Sequence, residues 1–253
     1  MYLRIKIECM KAIKKYVSSL PIGVKYLVSI NLLVYALTLV TYYCASINLT
    51  NYLGAYPTYS EYFNPLAIIT SGFTHSINFT HILFNMILFL IFAPSIEVKF
   101  GTKNMFLIYV LCGIVGYTTT NYAYHQNKQK IEQSLSVLHI NPSTIEIKDH
   151  RVSQEYLSTL DEGDVDIVRE YNRVISKTSG ASSALYGIIA IYLLLNFTNL
   201  KKIGFNLLAA YCIGFTLFSI FKNTNILDGS DYAHIGGFTT GLIFILIKKA
   251  SHK

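Results

Sequence analysis

Six charge-poor runs recur along this chain, at about 26–45, 79–96, 104–123, 183–200, 203–221 and 232–247. A helix needs roughly 17–25 mainly apolar residues to cross a bilayer. The runs therefore predict six transmembrane helices, the last one short and in need of support from its neighbours. Inside lipid every backbone N–H and C=O must be satisfied without water, which leaves helices and closed barrels, and continuous runs of this length are helical. The fold class is an all-α polytopic membrane protein. Only 14% of the 253 residues are charged, against about a quarter in a soluble domain.

Where the charge sits predicts orientation and removes one class of function. The net charge of +7 invites a nucleic-acid reading, but the distribution argues against it. Segment 124–178 holds seven Lys/Arg and nine Asp/Glu, so the excess of cations lies elsewhere. Arg4, Lys6, Lys11, Lys14, Lys15 and Lys25 precede or open the first run. Lys99 and Lys103 fall between the second and third, Lys201 and Lys202 between the fourth and fifth, and Lys248, Lys249 and Lys253 after the sixth. With six spans these segments share one face, and basic short loops mark the cytoplasm. Residues 1–21 then form a basic cytoplasmic segment, 22–248 the membrane domain and 249–253 a cytoplasmic tail. The bilayer is the expected partner, and no nucleic acid is needed. The first run exceeds the 7–15 residues of a signal-peptide core and reads as a retained span. Cys9, Cys44, Cys112 and Cys212 are far apart and form no CxxC. They read as inert apolar thiols, with no metal site.

The same topology puts 46–77, 124–178 and 222–231 outside the cytoplasm. The first is rich in tyrosine ("NYLGAYPTYSEYFNPLAIIT"), which suits the membrane interface. The second is a polar insertion between helices 3 and 4. Within it, Ile167/Val168, Tyr171 and Val174/Ile175 recur at helical spacing, predicting an amphipathic helix over about 164–176. Asn141-Pro142-Ser143 predicts a turn.

Polar side chains inside spans are costly and point to function. The second span opens with "THSINFTHILFN", which places His81 and Asn85 four apart on one helical face. The fourth opens with Ser182, and Tyr186 lies one turn below it. The sixth opens with "DYAHIGGFTTG", where Gly237 and Gly241 share the face of His234. Spans two, four and six all descend from the same side, so these groups lie at one shallow depth. A serine needs a base to take its proton, and histidine is the usual one, which makes Ser182 and His234 a candidate pair. A tetrahedral oxyanion needs donors. His81, the Asn85 amide and the free N–H groups at the start of the fourth helix can supply them. Small residues at Gly180, Ser183, Gly187, Gly237 and Gly241 read as helix-packing positions near the site that would let spans four and six approach closely. Each element also has a plainer reading. Ser182 alone is a plausible helix cap, His234 a buried structural histidine, His81 and Asn85 an interhelix hydrogen-bond pair, Tyr186 a packing residue, and His75 a loop or interfacial residue. Their joint occurrence at one depth favours chemistry.

These residues resemble the rhomboid family of intramembrane serine proteases. "HILFNMILFLIFAPSIEVKFG" resembles the family's second span, with its H-x-x-x-N pair and a later Glu97 and Gly101. "GASSALYG", with Gly180 leading into Ser182, is similar to the G-x-S-G nucleophile motif, and "AHIGGFTTG" matches that of the sixth span. The resemblance covers roughly 22–248 apart from the insertion. It implies a six-helix bundle, Ser182 as nucleophile and His234 as general base. It also implies His81, Asn85 and the Ser182 N–H as oxyanion donors, and Tyr186 stacked on the base histidine. No cofactor and no metal is implied. The expected substrates are single-span or other transmembrane proteins, cleaved in or near their spans at a site opening away from the cytoplasm. A catalytically inactive, client-binding relative is the alternative.

The chain departs from the family pattern in four places. Ser183 replaces the motif glycine, Leu66-Ala67 stands where a Trp-Arg pair is usual, one extra residue separates His75 from His81, and the insertion is long. The insertion would sit above the site, where it either gates substrate or is merely tolerated.

Overall fold

The computed structural model describes residues 2–222 and 229–251. Most of the expected 222–231 loop, and Lys253, lie outside the described residues. In chain order the helices are α1 (Tyr2–Ser19), α2 (Ile22–Ala45), α3 (Thr50–Leu53), α4 (Ala67–Thr70), α5 (Phe79–Phe100) and α6 (Thr102–Val137). They continue with α7 (Gln154–Leu157), α8 (Glu162–Ile175), α9 (Ser182–Asn196), α10 (Ile203–Lys222) and α11 (Gly229–Ala250). A two-residue hairpin, β1 (Ile147–Lys148) with β2 (Arg151–Val152), lies in the insertion. Among the described residues, five helices have the length and apolarity to cross a membrane: α2, α5, α6, α10 with the turn before it, and α11. The fold is all-α and polytopic.

Two lengths differ from expectation. The sixth run, read as short, is carried by a 22-residue helix, because Gly229-Ser230-Asp231 and Lys248-Lys249 extend it past its apolar window. The short element is instead α9, with 15 residues. That is permitted because α9 is the central helix. Ser183, Ala184, Leu185 and all of Gly187–Tyr192 are buried, so protein rather than lipid surrounds it and its length need not match the bilayer.

Side chains in the buried core explain how the helices are joined. Glu97 is buried near the end of α5 and caps a different helix. Its carboxylate accepts from the N–H groups of Gly23 (2.7 Å) and Val24 (2.6 Å) in the first turn of α2, and from Thr102 Oγ1 (2.6 Å) in α6. A helix N-terminus carries unpaired donors and partial positive charge, so this one carboxylate can sit buried among three helices. Gly101, at φ +82°, makes the turn between α5 and α6. Pro94, inside α5, has no N–H for the carbonyl four residues earlier. That carbonyl, of Leu90, accepts from the Tyr16 hydroxyl of α1 at 2.6 Å.

Helix α6 is the largest surprise. The third run was expected to end near 123, but the helix continues to Val137 and is 36 residues long. At 1.5 Å per residue that is about 54 Å, well beyond the roughly 30 Å of hydrocarbon. Its far half is a post for the insertion. Tyr124, Ile131 and Leu135 of α6 pack with Ile145, Val152 and Leu157 and with Val168, Tyr171 and Val174 of α8 in a second apolar core. The amphipathic helix expected at 164–176 is α8, at 162–175, with the expected face inward. The Asn141 turn is present, with its side chain accepting from Ser143 N–H at 3.0 Å.

The first loop is held without the Trp-Arg pair. Leu66, at that place, is 71% exposed while Ala67 is buried. Tyrosines of α6 do the anchoring. Tyr109 donates to the Gly72 carbonyl at 2.7 Å and Tyr117 to the Tyr56 carbonyl at 3.0 Å.

Candidate active site

The approach to α9 is fixed backbone to backbone. Ala55 and Thr178 exchange two hydrogen bonds (3.0 and 2.9 Å), and Gly180 N–H donates to the Ser71 carbonyl at 2.9 Å. Gly180 has φ +120°, a conformation that side chains other than glycine's rarely adopt. It is therefore a loop residue rather than a helix-packing one. Ala181 follows as the N-cap and Ser182 is the first residue inside α9. Ser182 does not act as a cap: no described residue hydrogen-bonds its Oγ. It lines a cavity of about 190 Å³ bordered also by Ser71, Gly113, Tyr117, Lys177 and Ser230.

His81 approaches from α5. A Cβ built on Gly180 would lie 3.2 Å from His81 Cε1, 3.3 Å from Nε2 and 3.9 Å from Ser182 Oγ. The missing side chain thus leaves a space that both groups border. The His81 tautomer follows from its other nitrogen. The Ser76 backbone N–H, which can only donate, points at Nδ1 from 3.4 Å. Nδ1 is therefore an acceptor, and the proton resides on Nε2, on the Gly180 side. Asn85 lies one turn below, buried, and donates one amide hydrogen to the His81 carbonyl at 2.8 Å. Its second N–H has no partner among the described residues. His75, read as a loop or interfacial residue, lies in the loop before α5 and is fully buried beside His81, with ring centroids 5.2 Å apart. Burial, helped by His81, holds it down to about 4, so it is neutral at physiological pH.

His234 is placed by α9 and α10 together. Its ring stacks on Tyr186 at 4.0 Å between centroids and 8° between planes. Its Nδ1 lies 3.3 Å from Thr216 Oγ1. Thr216 also makes a short hydrogen bond with the Tyr186 hydroxyl, which donates to the Cys212 carbonyl at 2.9 Å. The proton order follows from the carbonyl end. A carbonyl only accepts, so the Tyr186 proton is committed to Cys212. Thr216 then donates to Tyr186, and Thr216 Oγ1 accepts from His234 Nδ1–H. That leaves Nε2 without a proton, as a base requires.

His81 carries its proton on Nε2 and can donate there, whereas His234 carries its proton on Nδ1 and can accept at Nε2. The two rings are opposite tautomers, one suited to an oxyanion and one to a base. No hydrogen bond joins Ser182 to His234 in this structure; such bonds are often long before substrate binds and tighten with it.

Thr216 was not singled out from the sequence, where a threonine in an apolar run carries no signal of its own. Thr216→Val removes the acceptor and keeps the shape. It is expected to lower kcat/KM about fivefold, the scale of one hydrogen bond of about 1 kcal/mol, while Thr216→Ser restores it. Equal rates for Val and wild type would remove this role.

The packing residues lie where α6, α9 and α11 meet. A side chain on Gly237 would collide with the Ser183 carbonyl, and one on Gly241 with the Gly187 backbone. Ser183, the replacement for the motif glycine, borders the same cavity as Ser182, but its hydroxyl is engaged by neighbouring helices. Its Oγ sits 2.6 Å from the Cys112 carbonyl of α6 and 2.9 Å from the Ala233 carbonyl of α11. Room for it comes from Gly116, where any Cβ would strike that hydroxyl. The extra hydroxyl therefore ties α9 to α6 and α11 and leaves the candidate base alone. No group of three or more His, Cys, Asp or Glu is placed to hold a metal among the described residues, and Cys44, Cys112 and Cys212 are free thiols.

A search of curated proteins returns no match. The family model of the rhomboid domain matches residues 63–251, three-quarters of the chain, including His81, Asn85, Ser182, Tyr186, Thr216 and His234. With its long apolar helices, this integral, multi-pass membrane protein belongs to the rhomboid family.

Proposed function

We propose that the protein is an intramembrane serine endopeptidase that cleaves transmembrane protein substrates in or near their spans. His234 Nε2 takes the proton of Ser182 Oγ as it attacks the scissile carbonyl. The oxyanion is met by His81 Nε2–H, by the free N–H groups opening α9 and by the second Asn85 N–H. The leaving amine receives its proton from His234, and water activated by the same ring hydrolyses the acyl-enzyme. The observation that carries this reading is the pairing of opposite tautomers: a free Nε2 on a ring fixed by Tyr186 and Thr216, and an Nε2–H beside Ser182. The charge pattern supports cytoplasmic termini, with the Ser182 cavity opening on the opposite side.

A fluorophosphonate probe tests the reading. Wild-type protein in proteoliposomes is expected to label at Ser182, found by peptide mapping, and Ser182→Ala is expected not to label. No labelling of folded wild type would favour a catalytically inactive, client-binding relative.

A further inference from the structure

The cavity that Ser182 lines has a cation in its wall with no counter-ion. Lys177 is partly buried, and one of its three N–H donors goes to the neutral Asn51 Oδ1. Its ammonium lies 5.8 Å from the centroid of the Tyr56 ring, and its stem packs on Gly54, where a Cβ would stand 2.5 Å from Lys177 Cδ. No carboxylate pairs with it among the described residues. The charge that acts on it is Arg151 of the hairpin, of the same sign, and the hairpin's His150 is close enough to feel Lys177 in turn. The acidic neighbours, Glu61 and Asp149, act on His150 and not on Lys177. Desolvation, aided by Arg151, holds the ammonium down to about 8, so it is still charged at neutral pH. A desolvated cation with neutral and like-charged neighbours is costly unless an anion completes it.

We infer that Lys177 is a specificity determinant, whose ammonium takes an aspartate or glutamate side chain of the substrate close to the scissile bond. This deepens the protease reading and rests on it. Lys177 is five residues before Ser182, and both border the same cavity of about 190 Å³. An acidic side chain on a peptide engaged at Ser182 therefore enters a cavity whose wall includes Lys177. The Ala55–Thr178 backbone pairing holds the adjoining residue, so the cation is fixed relative to the serine rather than carried on a free loop. Arg151, close enough to act on Lys177, adds positive charge nearby, favouring anions on approach. Unlike an exposed ion pair, a pair formed inside such a cavity is only weakly screened.

The experiment uses the full chain in neutral phosphatidylcholine proteoliposomes and a single-span substrate with its cleavage site mapped. Aspartate, and in parallel asparagine, is scanned from five residues before the scissile bond to three after, and rates are normalised to Ser182 labelling. Wild type is expected to prefer aspartate over asparagine about tenfold in kcat/KM at one position. Lys177→Met should erase that ratio, Lys177→Arg keep it, and Lys177→Glu turn the preference to a lysine-bearing substrate. A wild-type ratio near one at every position overturns the inference without needing any variant to fold. So does a ratio that persists in Lys177→Met, or one that follows added anionic lipid rather than substrate charge. Protein that neither labels nor cleaves loses the protease reading as well, whereas labelled, cleaving protein without the preference loses only the role of Lys177.

Discussion

His234→Ala is expected to reduce cleavage of a transmembrane substrate by at least about 10³-fold while leaving a folded protein, and Ser182→Ala is expected to do the same. The argument rests on what each side chain touches. Ser182 Oγ holds no described partner, so its loss removes no structural bond. His234 touches Tyr186 and Thr216, and its loss leaves a void on the ring of Tyr186 but breaks only one hydrogen bond. Stability and chemistry can therefore be separated by thermal unfolding in detergent, measured beside the cleavage rate. The double variant should be no slower than either single one, because nucleophile and base act as a unit and their effects do not add. Retained cleavage by purified Ser182→Ala, or a double variant far below both singles, would refute the pairing. The same logic does not extend to Ser183. Its hydroxyl is spent on two helix carbonyls, so its replacement acts through packing.

How much of this was legible beforehand depends on the kind of signal. Apolar runs announce spans because lipid enforces length and backbone satisfaction residue by residue, and five helices of sufficient length followed. Helix ends were less legible. Nothing in "TTTNYAYHQNKQKIEQ" forbids helix, so α6 continues past the membrane until its apolar positions run out at the second core. The candidate residues at the starts of α5, α9 and α11 could be picked out from topology alone, since three crossings in one direction would start on one side. Tautomers were not. They depend on Ser76 N–H and Thr216 Oγ1, contributed by a loop and by α10, and no spacing rule links those to His81 or His234. Ser183 was illegible for a related reason: the space that admits it is Gly116, on another helix. Lys177 carried no signal in the sequence, because only the fold shows that its neighbours are neutral or of like charge.

His81→Ala carries the second large effect, an expected loss of about 10²–10³-fold in kcat, or roughly 3–4 kcal/mol of transition-state stabilisation. KM should change little, because the Nε2–H is aimed at charge that develops only as the tetrahedral intermediate forms. Labelling of Ser182 by the fluorophosphonate should slow in parallel, since the phosphonyl oxygen occupies the same space beside Gly180. His81→Gln keeps a donor on a flexible stem and should recover part of the loss, whereas a residue that only filled space would be replaced better by Phe. A kcat within about twofold of wild type for His81→Ala would show that the α9 N–H groups and Asn85 suffice, and would remove His81 from the oxyanion site. The prediction is sharp because the geometry separates two roles. His81's structural bond runs through its backbone carbonyl, which accepts from Asn85 at 2.8 Å and survives the substitution. Only the ring, positioned by Ser76 at one nitrogen and by the absent side chain of Gly180 at the other, is lost.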